Sequence, residues 1–234
     1  VIDGVEVVRH PRARVARLSV DPATGRVRLT VPRRMALAKV VAWAGEKAEW
    51  IAAQRAKLPQ GRPFVDGAVV PVAGRDVRLV WDAGASRTPV LRPSGEGGDD
   101  EAALVCGGPA EAFATRIERW LRREALRLLA EDTAHYAAKA GVTVAQVAVA
   151  DPRARWGSCS STGAIRYSWR LLLAPISVRR ATVAHEVAHR VHMHHGPAFH
   201  ALVAELFEGD PDDARRWLRA SGAALHWYGR DSSS

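Results

Sequence analysis

Six of the nine histidines in this 234-residue chain fall between positions 185 and 200. At the centre of the cluster is His185-Glu186-Val187-Ala188-His189, an HExxH sequence. Residues four apart on a helix share a face. Two imidazoles so placed can bind one Zn²⁺ at about 2.0–2.1 Å each. Glu186 follows the first of them and is turned about 100° from it by the 3.6-residue period. It therefore stands beside a metal rather than on it, where it can take a proton from a water held there. The chemistry these three residues suggest is metal-assisted hydrolysis.

Two histidines do not complete a catalytic zinc site, which takes three protein ligands and keeps one position open. Spacing alone leaves His195, Glu205 and His200 as candidates for the third. His192 lies about 10 Å along a straight helix axis from His185, at 1.5 Å per residue, so these two do not easily share a metal. His195 reaches the site only if the helix ends before it and the chain turns back, and Gly196-Pro197 supplies such a break. Its ten-residue separation from His185 is that of the metzincin HExxHxxGxxH pattern, but His192 stands where that pattern has Gly, so that subclass does not fit. Glu205, on a following helix, would give a gluzincin-like arrangement. His192 and His194 read as solvent-facing histidines or as neighbours of the ligands, as does His200 if it is not the third ligand. Three imidazoles favour Zn²⁺, although Mn²⁺, Ni²⁺ and Co²⁺ also accept such donors.

The elements that must position this cluster are legible around it. Ser177 is a plausible N-cap for a helix from Val178 to about Met193. Pro197, at a first helical turn, opens another over about 197–208, and a last short helix covers about 211–220. Before the metal helix, Ala164–Leu173 reads as a strand ended by Pro175, with a turn over 160–163 and a further strand over 142–149. A long helix over about 109–140 carries the stripe Phe113, Ile117, Trp120, Leu121, Leu128 and Leu129, and Gly141 stops it. Residues 5–31 alternate as strands, with a turn at Asp21–Gly25. Residues 36–58 switch to helical period, with Val40, Trp43, Ala44, Lys47, Trp50 and Ile51 on one face. Strand signals return at 68–72 and 76–82, and 93–101 is a polar loop. The expected organisation is α+β: an N-terminal mixed β/α lobe over 1–107, then a second domain over 108–234 that carries the cluster.

Composition narrows the class. Hydrophobic residues at 47% and charged residues at 25% are the profile of a soluble globular chain. No apolar run approaches the roughly 20 residues needed to span a bilayer. The N-terminal Val1-Ile2-Asp3-Gly4 lacks a basic-then-apolar signal pattern, and without an initiator Met the first residues are expected to be missing or removed. Two cysteines are too few for a disulfide scaffold, which fits a reducing cytoplasm. The net charge of +9 invites weak, non-specific attraction to nucleic acid. However, 17 of the 34 basic residues lie in 1–107, so neither half is a basic tail.

Several motifs together make the chain resemble the YgjP-like family of zinc metallopeptidases, related to SprT-like and WLM proteases. They are Arg155-Trp156-Gly157-Ser158-Cys159-Ser160, Tyr167-Ser168-Trp169-Arg170-Leu171, Leu173-Ala174-Pro175, the HExxH, and His194-His195-Gly196-Pro197. In the family the last piece usually reads Asn-His-Ser-Pro. Its His is the third ligand and falls on His195, so the resemblance implies a ligand set of His185, His189 and His195. It also implies a minimal zincin-like catalytic domain in the second half, with Glu186 as general base acting on a peptide or protein substrate. Some members are described as nucleoside triphosphate (UTP) pyrophosphatases, which makes a nucleotide the rival substrate. A DNA-associated SprT-like protease is a third reading, although the sequence has no separate zinc finger or helix-turn-helix for it.

The remaining motif residues carry expectations of their own. The exposed edge of strand 164–171 could pair with an extended peptide. Arg155 and Arg170 could stabilise an oxyanion, hold phosphate, or form structural ion pairs. Trp156 and Trp169 read as core, and Cys159 as a buried thiol.

Overall fold

The structure is a computed structural model that describes residues 5–93 and 102–231. The first four residues, positions 94–101 of the expected polar loop, and the last three serines lie outside the described residues. The architecture is α+β, with three small sheets, six α-helices among the described residues and no closed barrel. Among the described residues no helix is long and apolar enough to cross a membrane. The chain divides into two compact units, Val1–Gln60 and Gly61–Ser234.

In the first unit, β1 (Val5–His10), β2 (Arg17–Val20) and β3 (Val27–Pro32) form a sheet in the order β1-β3-β2. Strand β1 runs parallel to β3, and β2 runs antiparallel to it. Alternation along β3 turns Val27, Leu29 and Val31 into the core. The helix expected over 36–58 is two helices, α1 (Leu37–Gly45) and α2 (Ala48–Arg55). Gly45, a weak helix former, ends the first, and Lys47 sits outside helical geometry at φ −100°, ψ 12°. Val40, Trp43, Ala44 and Ile51 of the expected face pack on the sheet's core, whereas Trp50 is exposed.

The boundary expected at 107/108 lies inside the second unit. There β4 (Val69–Val72), β5 (Arg75–Trp81), β6 (Val90–Arg92) and β7 (Ala102–Cys106) form a sheet in the order β4-β5-β7-β6. Val70, Val77, Leu79 and Leu104 from these strands belong to one continuous core with helix α3 (Phe113–Ala140) and with the helix that carries the HExxH sequence. Helix α3 supplies Ile117, Leu121, Ala125 and Leu129, a four-residue repeat that forms one apolar stripe. Gly141 terminates it in the left-handed region, at φ +65°.

The part of this unit that builds the site begins with β8 (Gln146–Ala150), β9 (Gly157–Cys159) and β10 (Ala164–Ser168), in the order β8-β10-β9. The strand expected to reach Leu173 stops at Ser168, whose hydroxyl accepts a bond from the Arg170 amide at 3.4 Å and starts a 3-10 turn over Trp169–Leu173. Helix α4 (Ile176–Ala188) follows; Pro175 rather than Ser177 is its N-cap. Helix α5 (Pro197–Leu206) has Gly196 as its N-cap. Helix α6 (Pro211–Leu225) is longer than the expected 211–220, and the Asp210 carboxylate caps it by accepting from the Asp212 amide at 2.8 Å.

Candidate active site

Helix α4 packs Val183, Ala184, Val187 and Ala188 into the core with no measurable exposure. This anchoring fixes the rotation of the helix, and with it the directions of His185 and Glu186. The helix expected to continue to Met193 ends at Ala188, with His189 as its C-cap at φ −65°, ψ −14°. The amides of Val191 and His192 both donate to the Ala188 carbonyl, at 3.0 and 2.9 Å, and close the turn. The chain therefore leaves the helix at the HExxH itself and reverses before Gly196-Pro197, which opens α5 rather than breaking α4.

That early reversal returns His195 to the helix end. One ring nitrogen from each of His185, His189 and His195 lies within 4.8 Å of the others. The Nε2 atoms of His185 and His195 are 3.1 Å apart. Two nitrogens at zinc-binding distance on a tetrahedral ion stand about 3.3 Å apart, so this pair fits such an ion, and the third nitrogen is close enough to join it. His189 Nδ1 lies 3.1 Å from the His192 carbonyl oxygen. A donated Nδ1–H there leaves the Nε2 lone pair free to ligate. Phe199, almost fully buried, packs against all three rings at centroid distances of 4.6–4.9 Å and limits their rotation. Glu205 is exposed and outside the group, His194 is exposed, and the His200 ring stacks on His195 at 6.3 Å.

Burial, reinforced by the neighbouring imidazoles, Arg215 and His200, lowers the His185 pKa to about 4. Burial also lowers that of His189, against its bond to the His192 carbonyl. Both rings are thereby neutral near pH 7, the form that ligates metal. Glu186 is 6% exposed, and burial raises its carboxyl to about 7 against the pull of Arg155. A carboxyl poised there is matched to general acid–base work. It rests against the backbone of β9: a Cβ built on Gly157 would stand 2.5 Å from Glu186 Oε1. Gly157 and Phe199 were not legible as site residues. Neither a glycine nor a phenylalanine carries a chemical signature in the sequence.

The two arginines separate. Arg170 is buried; its Nε and Nη2 donate to the two Asp151 oxygens at 2.7 and 2.9 Å. Its Nη1 donates to the carbonyls of Leu225 and Tyr228 at 2.7 and 3.0 Å, so it ties the scaffold together. Arg155 is exposed and lines the cavity that holds His185 and Glu186. Trp169 is fully buried, with the guanidinium groups of Arg122 and Arg170 over its ring at 5.2 and 4.5 Å from the centroid. Trp156 is half-buried and lies over His226. Cys159 is half-buried rather than buried. The strand expected to offer a free edge, β10, is central in its sheet; β9 is the edge on the side of α4.

A family model described as YgjP-like, metallopeptidase domain, matches residues 14–221. No curated protein and no solved structure matches the chain.

Proposed function

The chain belongs to the YgjP-like metallopeptidase family, and from that membership we propose that it is a zinc peptidase of the cytoplasm. His185, His189 and His195 hold the metal, and Glu186 is the general base. The observation that carries this reading is the convergence of three imidazoles beside a buried carboxylate in an open cavity. Two cysteines, neither in a disulfide, support the compartment.

A zinc ion, when bound, supplies a Lewis acid that acidifies water and polarises a carbonyl oxygen. Glu186 then takes the proton of the attacking water on a carboxylate oxygen and passes it to the departing amine. The β9 backbone at Gly157 keeps that carboxylate in place, and Phe199 orients the three rings. The buried α4 face holds Glu186 out of bulk water, which keeps its proton affinity in the working range.

Elemental analysis and peptide hydrolysis of the purified protein test the reading together, with UTP in a parallel arm. One zinc per chain is expected, with peptide hydrolysis lost to a chelator and restored by zinc. Chelator-sensitive UTP hydrolysis without peptide hydrolysis would overturn the peptidase reading and leave the metal site standing.

A further inference from the structure

A cavity of about 260 Å³ opens beside His185 and Glu186, between β9, α4, α5 and α6. Its walls include Trp156, Val203, Ala214 and Leu218, and it carries two guanidinium groups, Arg155 and Arg215. Among the described residues the only acid that lines it is Glu186 itself. The volume is below the roughly 300–1,000 Å³ of pockets that enclose a drug-sized ligand, and it suits one side chain better than a nucleotide.

The two cations are available to a ligand. Arg155 has no hydrogen bond or ion pair among the described residues, unlike the buried Arg170. Among the described residues Arg215 pairs only with Asp212, one turn away on the surface of α6, with side chains 44% and 58% exposed. Such a pair is weak and readily exchanged. Arg155 also borders two further cavities along the β8-β10-β9 sheet, where Arg166 adds a third cation. The one acid there, Asp151, is engaged by Arg170.

We propose that this cavity receives a substrate side chain next to the scissile bond and selects an acidic one. The proposal rests on the peptidase reading above. A glutamate would lay its methylenes along the apolar wall and offer its carboxylate to Arg155 and Arg215, the pairing that guanidinium geometry favours.

The test is a peptide series in which the residue on each side of the cut is varied in turn among Glu, Gln, Leu and Lys, assayed with zinc-loaded protein. At one of the two positions Glu should exceed Gln in kcat/KM by about tenfold to a hundredfold, and Lys should be poorest. The preference should shrink as salt is raised. In the Arg155→Gln/Arg215→Gln double variant the Glu-to-Gln ratio should fall towards one, and Arg215→Glu should gain on the Lys peptide. Equal cleavage of acidic, neutral and basic peptides, or a Glu preference that survives the double variant, would overturn the pocket and leave the peptidase reading intact. If no peptide of any charge were cut, the peptidase reading would fail and this inference with it.

Discussion

The cleft and the buried belt beside it use the same kinds of side chain in opposite ways. In the belt, the three guanidinium nitrogens of Arg170 make four hydrogen bonds to Asp151 and two carbonyls, and His226 Nδ1 lies 3.8 Å from Asp151. Arg179 donates to Asp132 at 2.7 Å where α4 crosses α3. In the cleft, Arg155 makes no hydrogen bond or ion pair among the described residues and acts on the buried Glu186 only through its field, and three imidazoles aim nitrogens at one another. Burying charge is tolerable for a scaffold when it is paired with an opposite charge, as Arg170 is with Asp151 and Arg179 with Asp132, although Arg179 Nη1 stays without a hydrogen-bond partner. Groups left unsatisfied in a cleft cost stability and are the signature of a site that awaits a ligand. Changes in the cleft should therefore affect metal and turnover, and changes in the belt should affect folding.

The largest effect is expected at the third imidazole. His195→Ala should lose the metal nearly as badly as His189→Ala, with peptide hydrolysis at background, because two ligands hold the ion poorly. His192→Ala should keep it, since that residue contributes a backbone carbonyl that the substitution leaves in place. His194→Ala should keep it as well. Zinc-to-protein ratios decide the point. Full zinc in His195→Ala, with loss in Glu205→Ala, would move the ligand to α5.

A smaller but still catalytic effect is expected at the carboxylate. Glu186→Gln should retain zinc and lose about 10²–10⁴ in kcat. Gly157→Ala sharpens the comparison, because it touches no ligand and only pushes the carboxylate aside. A misplacement of about 1 Å is enough to cost roughly 10² in rate. The reading requires that loss at unchanged zinc content and a thermal midpoint that shows the variant folded. A fully active Gly157→Ala would mean that β9 does not set the position of Glu186.

The sequence carried the local chemistry further than the path of the chain. HExxH, the apolar stripe of α3 and the stop at Gly141 are periodic or compositional signals, and each can be read without a neighbour. The end of α4 was not legible: the residues after His189 have no helix breaker until Gly196, and bonds to the Ala188 carbonyl rather than a Gly or Pro close the turn. The division into compact units after Gln60 is not legible for a related reason. Strands 69–106 resemble the N-terminal strands in pattern, and only packing reveals that their apolar faces share a core with α3 and α4. Arg155 and Arg170 were equivalent on paper. What separates them is Asp151, four residues from one and nineteen from the other, which folding gives to the more distant.

The mildest effect is expected in the belt, and it should appear in stability rather than turnover. Asp151→Asn leaves the buried Arg170 with neutral partners only and should cost about 1.5–3 kcal/mol, the scale of hydrogen bonds to charged groups. Acid should reveal the same interaction in the unmodified protein. Burial tends to raise the Asp151 carboxyl, but the Arg170 bonds and charge, with His226 and Arg122, outweigh it and hold the group below its ordinary value. A carboxyl depressed on folding stabilises the protein above its unfolded pKa, near about 4. Below that the unfolded chain binds the proton first, so the contribution drains away as pH falls through the folded value. Urea midpoints at successive pH values from 5 downwards should therefore fall faster for the unmodified chain than for Asp151→Asn, and the gap between them should narrow in acid. A gap that stays constant to the lowest pH at which both fold would show that the Asp151 charge is not what holds Arg170, and the belt would then owe its order to the two carbonyls alone.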